Sequence, residues 1–165
     1  MKLFSIIYKS QLEGAHRLDA EYFQAKYEIL VAKIREYGSK PLLETITNVP
    51  ATFDPTTNPD KLFQYVELSD INATIGAIEG CSEVFGKEAP SRAKRLLKTG
   101  DVIVSSVAGS LGKVALVDKQ QQGYLASTGF FQFRSDKILP EVLLVMAKSM
   151  VFQMQLEKQT AGTIL

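Results

Sequence analysis

Apolar residues recur at helical spacing most clearly in the first quarter of the chain. Phe23, Tyr27, Leu30, Ile34 and Tyr37 follow one another at intervals of four, three, four and three, which lays them along one stripe. The pattern predicts a helix over 19–37. Asp19 is a good N-cap, Glu21 sets negative charge in the first turn, and Leu18 and Phe23 occupy the two positions of a hydrophobic staple. Gly38 and Pro41 end it. A second stripe of Leu143, Ala147, Met150 and Met154, with Leu144 and Val151 beside it, predicts a helix over 140–158 that has Pro140 in its first turn. A shorter helix is expected over 89–100, capped by Ser91 and stopped by Gly100.

Between these lie β-branched and aromatic runs that read as strands: 3–8, 63–68, 77–79, 101–107, 113–117 and 130–133. The stretch 47–60, with Pro50, Pro55 and Pro59 among Thr, Asn and Asp, reads as an ordered loop or exposed connection. Too little chain precedes it to bury a core of its own. Strands bracketed by helices without a repeating βα rhythm define an α+β class, with a mixed, strongly twisted β-sheet and flanking helices.

Length and composition narrow this further. The 165 residues, 45% apolar and 22% charged, suit one globular domain over 1–165. Within it we expect an N-terminal strand and helix (1–38), a sheet-rich core (42–135) and a C-terminal helix (140–158). The longest apolar run, 142–147, is far too short to span a bilayer, so a soluble chain with no membrane partner is expected. No secretory h-region precedes it, which makes the cytoplasm the expected compartment. Cys81 and His16 are the only cysteine and histidine, so neither an internal disulfide nor a structural zinc site is expected.

Catalytic constellations are mostly refused. Any nucleophile–base arrangement would have to run through His16, whose polar surroundings read as solvated. Cys81 reads as a buried, inert thiol. Gly109-Ser110-Leu111-Gly112-Lys113 has glycines too close together for a phosphate loop, and Val114 stands where a magnesium ligand is needed. Asp60 and Glu67 lack the Lys two residues on that metal-dependent nucleases use, Ser69 being there instead. Asn58-Pro59-Asp60 lacks the second proline and the aromatic residue that hold a flipped adenine. No catalytic residue, cofactor or metal is expected.

Charge is uneven. From 86 to 113 the cations Lys87, Arg92, Lys94, Arg95, Lys98 and Lys113 face Glu88 and Asp101, a local excess of four in a chain of net charge +1. Such an excess neutralises phosphates and releases counterions whatever the charge of the whole molecule. Lys94 and Lys98 lie four apart on the expected short helix. Small polar residues accompany them: Ser91, Ser105, Ser106, Ser110, Ser127 and Thr128. Glycines 109, 112 and 129 remove side-chain obstacles to a sugar-phosphate backbone. A solvated face with two glycine-bearing hairpin turns is the plainer reading of charge alone.

The order of the motifs shifts that balance. Tyr65-Val66-Glu67-Leu68-Ser69-Asp70-Ile71-Asn72 is followed by Gly76-Ala77-Ile78 and Ala89-Pro90-Ser91-Arg92-Ala93. Then come Lys98-Thr99-Gly100-Asp101-Val102-Ile103-Val104-Ser105-Ser106-Val107, the Gly109–Lys113 turn and Ala126-Ser127-Thr128-Gly129-Phe130. This succession closely resembles the target recognition domain of type I restriction-modification specificity subunits. Residues 17–23 and Gly162-Thr163 are similar to the same family, so the resemblance spans nearly the whole chain.

The resemblance implies a target-recognition-domain-like fold and non-catalytic, sequence-specific recognition of double-stranded DNA. In that family a subunit carries two such domains, each reading one half of a split target. Long helices separate them and dock the modification subunits. The implied partners are therefore a DNA adenine methyltransferase (modification) subunit and a motor-nuclease (restriction) subunit. On this reading the cations of the basic segment, Lys87, Arg92, Lys94, Arg95, Lys98 and Lys113, are expected to contact phosphates. Backbone or base-edge contacts would come from Ser91, Ser105, Ser106, Gly109, Ser110, Ser127 and Thr128. The sequence departs from the family in three places. It holds one recognition domain, it stops where the spacer helix usually begins, and Ala108 replaces an Arg that relatives commonly carry before the Gly-Ser turn. A half-subunit or a truncated subunit is expected.

A reading from a different class stays open. The stripe from Phe23 to Tyr37 would pack on a partner helix, its own copy in a homodimer or a methyltransferase. The chain would then be an interaction module with no DNA surface of its own.

Overall fold

The computed structural model describes residues 6–17 and 19–160. The expected strand at 3–5, Leu18 of the staple, Gly162-Thr163 and the terminal residues lie outside them. The described residues form helices α1 (Lys9–Ala15), α2 (Ala25–Glu36), α3 (Pro140–Lys148) and α4 (Met150–Thr160). The strands are β1 (Thr47–Asn48), β2 (Leu62–Val66), β3 (Ile71–Asn72), β4 (Ala77–Ile78) and β5 (Ser82–Phe85), then β6 (Ala93–Leu96), β7 (Val102–Ser105), β8 (Val114–Leu116), β9 (Leu125–Ser127) and β10 (Phe130–Arg134). Two compact units result, one from residues 1–40 and 150–165, the other from 41–149.

The first unit is helical. Residues 6–8 are not a strand, and Tyr8 instead caps α1, its N–H donating to Gln11 Oε1 at 2.9 Å. The expected helix start at Asp19 is a separate turn: Asp19 accepts from the Tyr22 N–H at 3.0 Å and from Arg17 Nε at 2.7 Å. A competing local turn of this kind is what an Asp side chain favours over helix interior. The helix proper begins at Ala25, and α2 packs along α4 with Lys26 3.3 Å from Glu157. Phe23 and Tyr27 of the predicted stripe are buried, whereas Tyr37 at its far end is 89% exposed.

The second unit holds all the strands. One four-stranded sheet runs β1-β10-β7-β8 with every pair antiparallel. The other runs β5-β2-β9-β6, and is mixed because β2 and β9 are parallel. β3 and β4 form a small hairpin. The α+β class holds, with the strands divided between separate sheets. Val66 and Ala126 reach one apolar cluster together with Ile103, Ala115 and Phe130 of the first sheet, while Phe63, Tyr65 and Leu125 reach another. Neighbouring residues of β2 and β9 thus point to opposite faces, and both faces are covered.

Two expected helices take another form. Residues 93–96 form strand β6, not a helix. Ala93, Arg95 and Leu97 turn inward while Lys94 and Leu96 lie half-buried between them, a period of two. Pairing with β9, from Ala93↔Ser127 to Leu96↔Leu125 with an irregularity between Ala93 and Arg95, overrides the helix-forming composition. The expected helix over 140–158 is two helices. Ser149 leaves the helical region at ψ 147°, and both its N–H (3.1 Å) and its Oγ (2.7 Å) donate to the Met146 carbonyl, closing the last turn of α3.

Candidate nucleic-acid interface

Because 93–96 is a strand, its cations alternate between the two faces of a sheet. Arg95 is not a surface phosphate ligand: it is 8% exposed and its Nη1 donates to the Val49 carbonyl at 2.6 Å. Burial pulls its guanidinium below the ordinary range, and Nε is buried without a hydrogen-bond partner among the described residues. Lys113 Nζ is committed to the Ile71 carbonyl at 2.9 Å. Lys94 lies 3.6 Å from Asp54, and Lys87 lies 3.4 Å from Asp60. Those two ion pairs are half-exposed, hold weakly against water and salt, and leave both lysines available to another anion. Arg92 and Lys98 are exposed and have no side-chain partner among the described residues. They flank opposite ends of β6, about 20 Å apart along an extended chain. The single basic helix face expected from sequence is therefore not formed.

The hydroxyl residues divide in the same way. Ser105 is fully buried, its Oγ 3.0 Å from Ser110 Oγ and accepting from the Val107 N–H at 3.1 Å. Ser127 is 6% exposed and accepts from the Gly129 N–H at 3.1 Å. Both serve the turns rather than an outer surface, which corrects their expected contact role. Ser110 Oγ donates to the Val107 carbonyl at 3.0 Å, and Ser106 Oγ donates to the Gly129 carbonyl at 2.9 Å. Thr128, Ser91 and Gly109 are exposed. Gly109 takes φ +80° at the tip of the β7–β8 turn, a conformation that glycine adopts without strain.

One corner draws several elements together. The backbone N–H of Thr128 donates to the Arg92 carbonyl at 2.8 Å, joining the β9–β10 turn to the start of β6. The Ser106 N–H donates to the Gly129 carbonyl at 2.8 Å, joining the same turn to the end of β7. A Cβ placed on Gly129 would meet Arg92 Nη2 at 3.3 Å and Ser127 Oγ at 3.4 Å, so the guanidinium lies directly against the glycine. Tyr65, from β2, is 2% exposed, and its buried hydroxyl has Ser127 and Glu67 as neighbours without a well-formed hydrogen bond among the described residues. Its burial pushes the phenol up. Ser127 and Arg92 draw it down, and Glu67 adds a further upward push.

The sequence set Glu67 aside as a nuclease carboxylate and gave Tyr65 no role beyond its place in the motif. The period-two alternation of β2 places Tyr65 on the same face as Phe63, where it passes for ordinary core. The available signal was its hydroxyl, since a buried tyrosine normally finds a partner for that group. Cys81 is exposed, not buried, with Sγ 3.1 Å from Gln64 Oε1. His16 is exposed and closes α1 in a left-handed conformation with φ 52°. Among the described residues no group of three or more His, Cys, Asp or Glu is arranged to hold a metal ion, and no helix is long and apolar enough to cross a membrane.

No protein-family profile matches the chain, and no curated protein matches it. Solved structures do. A chain from a type I R-M system, solved for its complex assembly and conformational transition, is 34% identical with a TM-score of 0.66, over 76% of this chain and 32% of that one. The HsdS subunit from Thermoanaerobacter tengcongensis is 37% identical with a TM-score of 0.60, over 66% of this chain and 28% of that one. This chain thus spans about a third of the length of the solved chains it matches. Its fold is the target-recognition-domain fold of type I restriction-modification specificity subunits, which are non-catalytic components.

Proposed function

We propose that this chain recognises a DNA sequence as the specificity component of a type I restriction-modification system, and catalyses no reaction itself. The observation that carries the reading is the 34–37% identity to specificity-type structures over most of its own length, together with their fold. Double-stranded DNA is the substrate class, and a DNA adenine methyltransferase subunit is the first protein partner, with a motor-nuclease subunit in the same assembly. The reading places the chain in the cytoplasm, where such DNA is met.

The surface side chains sort by availability. Lys98 is exposed with no side-chain partner among the described residues and can meet a phosphate, and Lys87 and Lys94 can leave their exposed Asp partners for one. Thr128, Ser91 and Gly109 stand exposed at turns, where a hydroxyl or bare backbone can approach the duplex. The burial of Phe23 and Tyr27 takes two of the five residues out of the stripe on which the interaction-module reading rested.

The test is fluorescence anisotropy of the full chain with a duplex pool at several salt concentrations, with and without an adenine methyltransferase subunit. Binding that weakens steeply with salt supports the reading. Absence of binding at low ionic strength in both arms overturns it.

A further inference from the structure

The corner formed by Tyr65, Glu67, Arg92 and Gly129 has a charge pattern that a phosphate site would not have. Arg92 is an exposed guanidinium with no partner among the described residues. Its position is set by Gly129, whose missing side chain leaves room for Nη2. Gly129 is itself fixed, its carbonyl taking the Ser106 N–H and Oγ and its N–H bonding Ser127 Oγ. Glu67 is exposed and follows Tyr65 by two in extended backbone, on the same face of the sheet. β9 stands between β2 and β6, with its Ser127 Oγ and Arg92 Nη2 both against Gly129; among the described residues no ion pair joins Glu67 to Arg92.

A carboxylate beside the guanidinium repels a phosphodiester, which carries only negative charge and accepts only hydrogen bonds. A base-pair edge in the major groove presents acceptors and a donor together. Guanine offers O6 and N7 to the forked donors of an arginine, and cytosine offers its N4 amine to a carboxylate. The forked geometry belongs to Arg and not to Lys.

We propose that Arg92 and Glu67 together read the major-groove edge of one G·C pair, with Arg92 on guanine and Glu67 on cytosine. This moves Arg92 from the phosphate contacts expected from sequence to base recognition. Gly129 and Ser127 are positioning residues that hold the guanidinium in place. The proposal rests on the DNA-recognition reading above and adds the residues and the base pair.

The experiment is selection of bound duplexes from a randomised pool by the full chain, followed by affinity and salt slope for wild type, R92K, R92A and E67Q. Wild type is expected to enrich a G·C pair at one position. R92K keeps the charge but loses the fork, and should lose about ten- to a hundredfold of the discrimination at that position alone. Its salt slope should stay close to that of wild type. E67Q should relax the same position without weakening affinity for non-specific duplex.

If R92K retains full discrimination while R92A weakens all duplexes equally and lowers the salt slope by about 0.9, Arg92 is a phosphate ligand and the proposal fails while DNA recognition stands. Enrichment that shows no G·C position sensitive to either residue likewise overturns it. A wild-type chain that binds no duplex would remove both readings together. Circular dichroism and the urea midpoint confirm that each variant is folded.

Discussion

Arg134 closes on Asp101 with two hydrogen bonds, Nε to Oδ1 at 2.6 Å and Nη2 to Oδ2 at 2.8 Å, which ties the end of β10 to the entry of β7. Asp101 is wholly buried and also accepts from Gln132 Nε2 at 2.6 Å and from the Lys98 N–H at 2.8 Å. Four donors on one carboxylate offset its desolvation, and the fork fits arginine geometry. The same N–H contact shapes the backbone that carries Lys98 out to solvent. An amide in place of the carboxylate turns two of its lone pairs into donors facing donors. D101N should therefore lose about 3 kcal/mol of stability, read as a lower urea midpoint with an unchanged m-value.

Arg95 and Lys98 separate structural from electrostatic roles on one short segment. R95A should destabilise the chain by about 1–3 kcal/mol, because the Val49 carbonyl loses its donor and a cavity opens, with little change in the salt slope of DNA binding. K98A should leave the urea midpoint within about 0.5 kcal/mol and lower the salt slope by about 0.9. Paired urea titrations and salt-dependent anisotropy read both. A reversed pattern would place Arg95 at the surface.

Gly86 is a close-approach glycine. A Cβ there would lie 2.2 Å from the Asn58 carbonyl oxygen and 2.4 Å from that of Pro55, both backbone atoms that cannot swing aside. G86A should cost about 3 kcal/mol or more, measured by thermal or urea unfolding. G109A has no such steric conflict, nothing lying within 4 Å, and pays only for its positive φ, about 1 kcal/mol.

Asp54 supplies an acid-sensitive contact. Its carboxyl is held below the ordinary carboxylate value of 3.8 mainly by hydrogen bonds from the Thr56 hydroxyl and N–H, with Lys94 adding attraction. A depressed carboxylate stabilises the fold above its unfolded value and loses that contribution as pH falls through the lower folded one. Stability should thus decline as pH drops below 3.8, and D54N, which keeps an acceptor oxygen for Thr56, should flatten that part of the profile. Urea midpoints between pH 5 and pH 2, on the order of one step per half unit, would measure it.

How far the sequence could be read depended on whether local pattern and tertiary pairing agreed. Strands β2, β7, β8 and β10 are rich in Val, Ile, Phe and Tyr, and were legible to within a residue or two. β9 was missed because Leu-Ala-Ser has little strand character, and its partners β2 and β6 lie far away along the chain. β6 was misread for a related reason: Ala, Lys, Arg and Leu favour a helix, and only pairing with β9 makes them a strand. α1 has seven residues and too few apolar ones to mark a face.

For the site, the cations themselves were legible but their engagement was not. The carboxylates that take Lys87 and Lys94 come from the 47–60 loop, and the carbonyl that takes Arg95 comes from the same stretch. Proximity between such distant segments is a property of the folded sheets alone. The motif order carried the family resemblance because it survives whatever each side chain contacts.

The most direct measurement compares the dissociation constant of the full chain for its selected duplex and for a scrambled duplex of equal length, at matched salt. Discrimination of at least about a thousandfold, with both affinities falling as salt rises, is the expected result. Equal affinity for the two duplexes at every salt concentration would contradict sequence recognition by this chain.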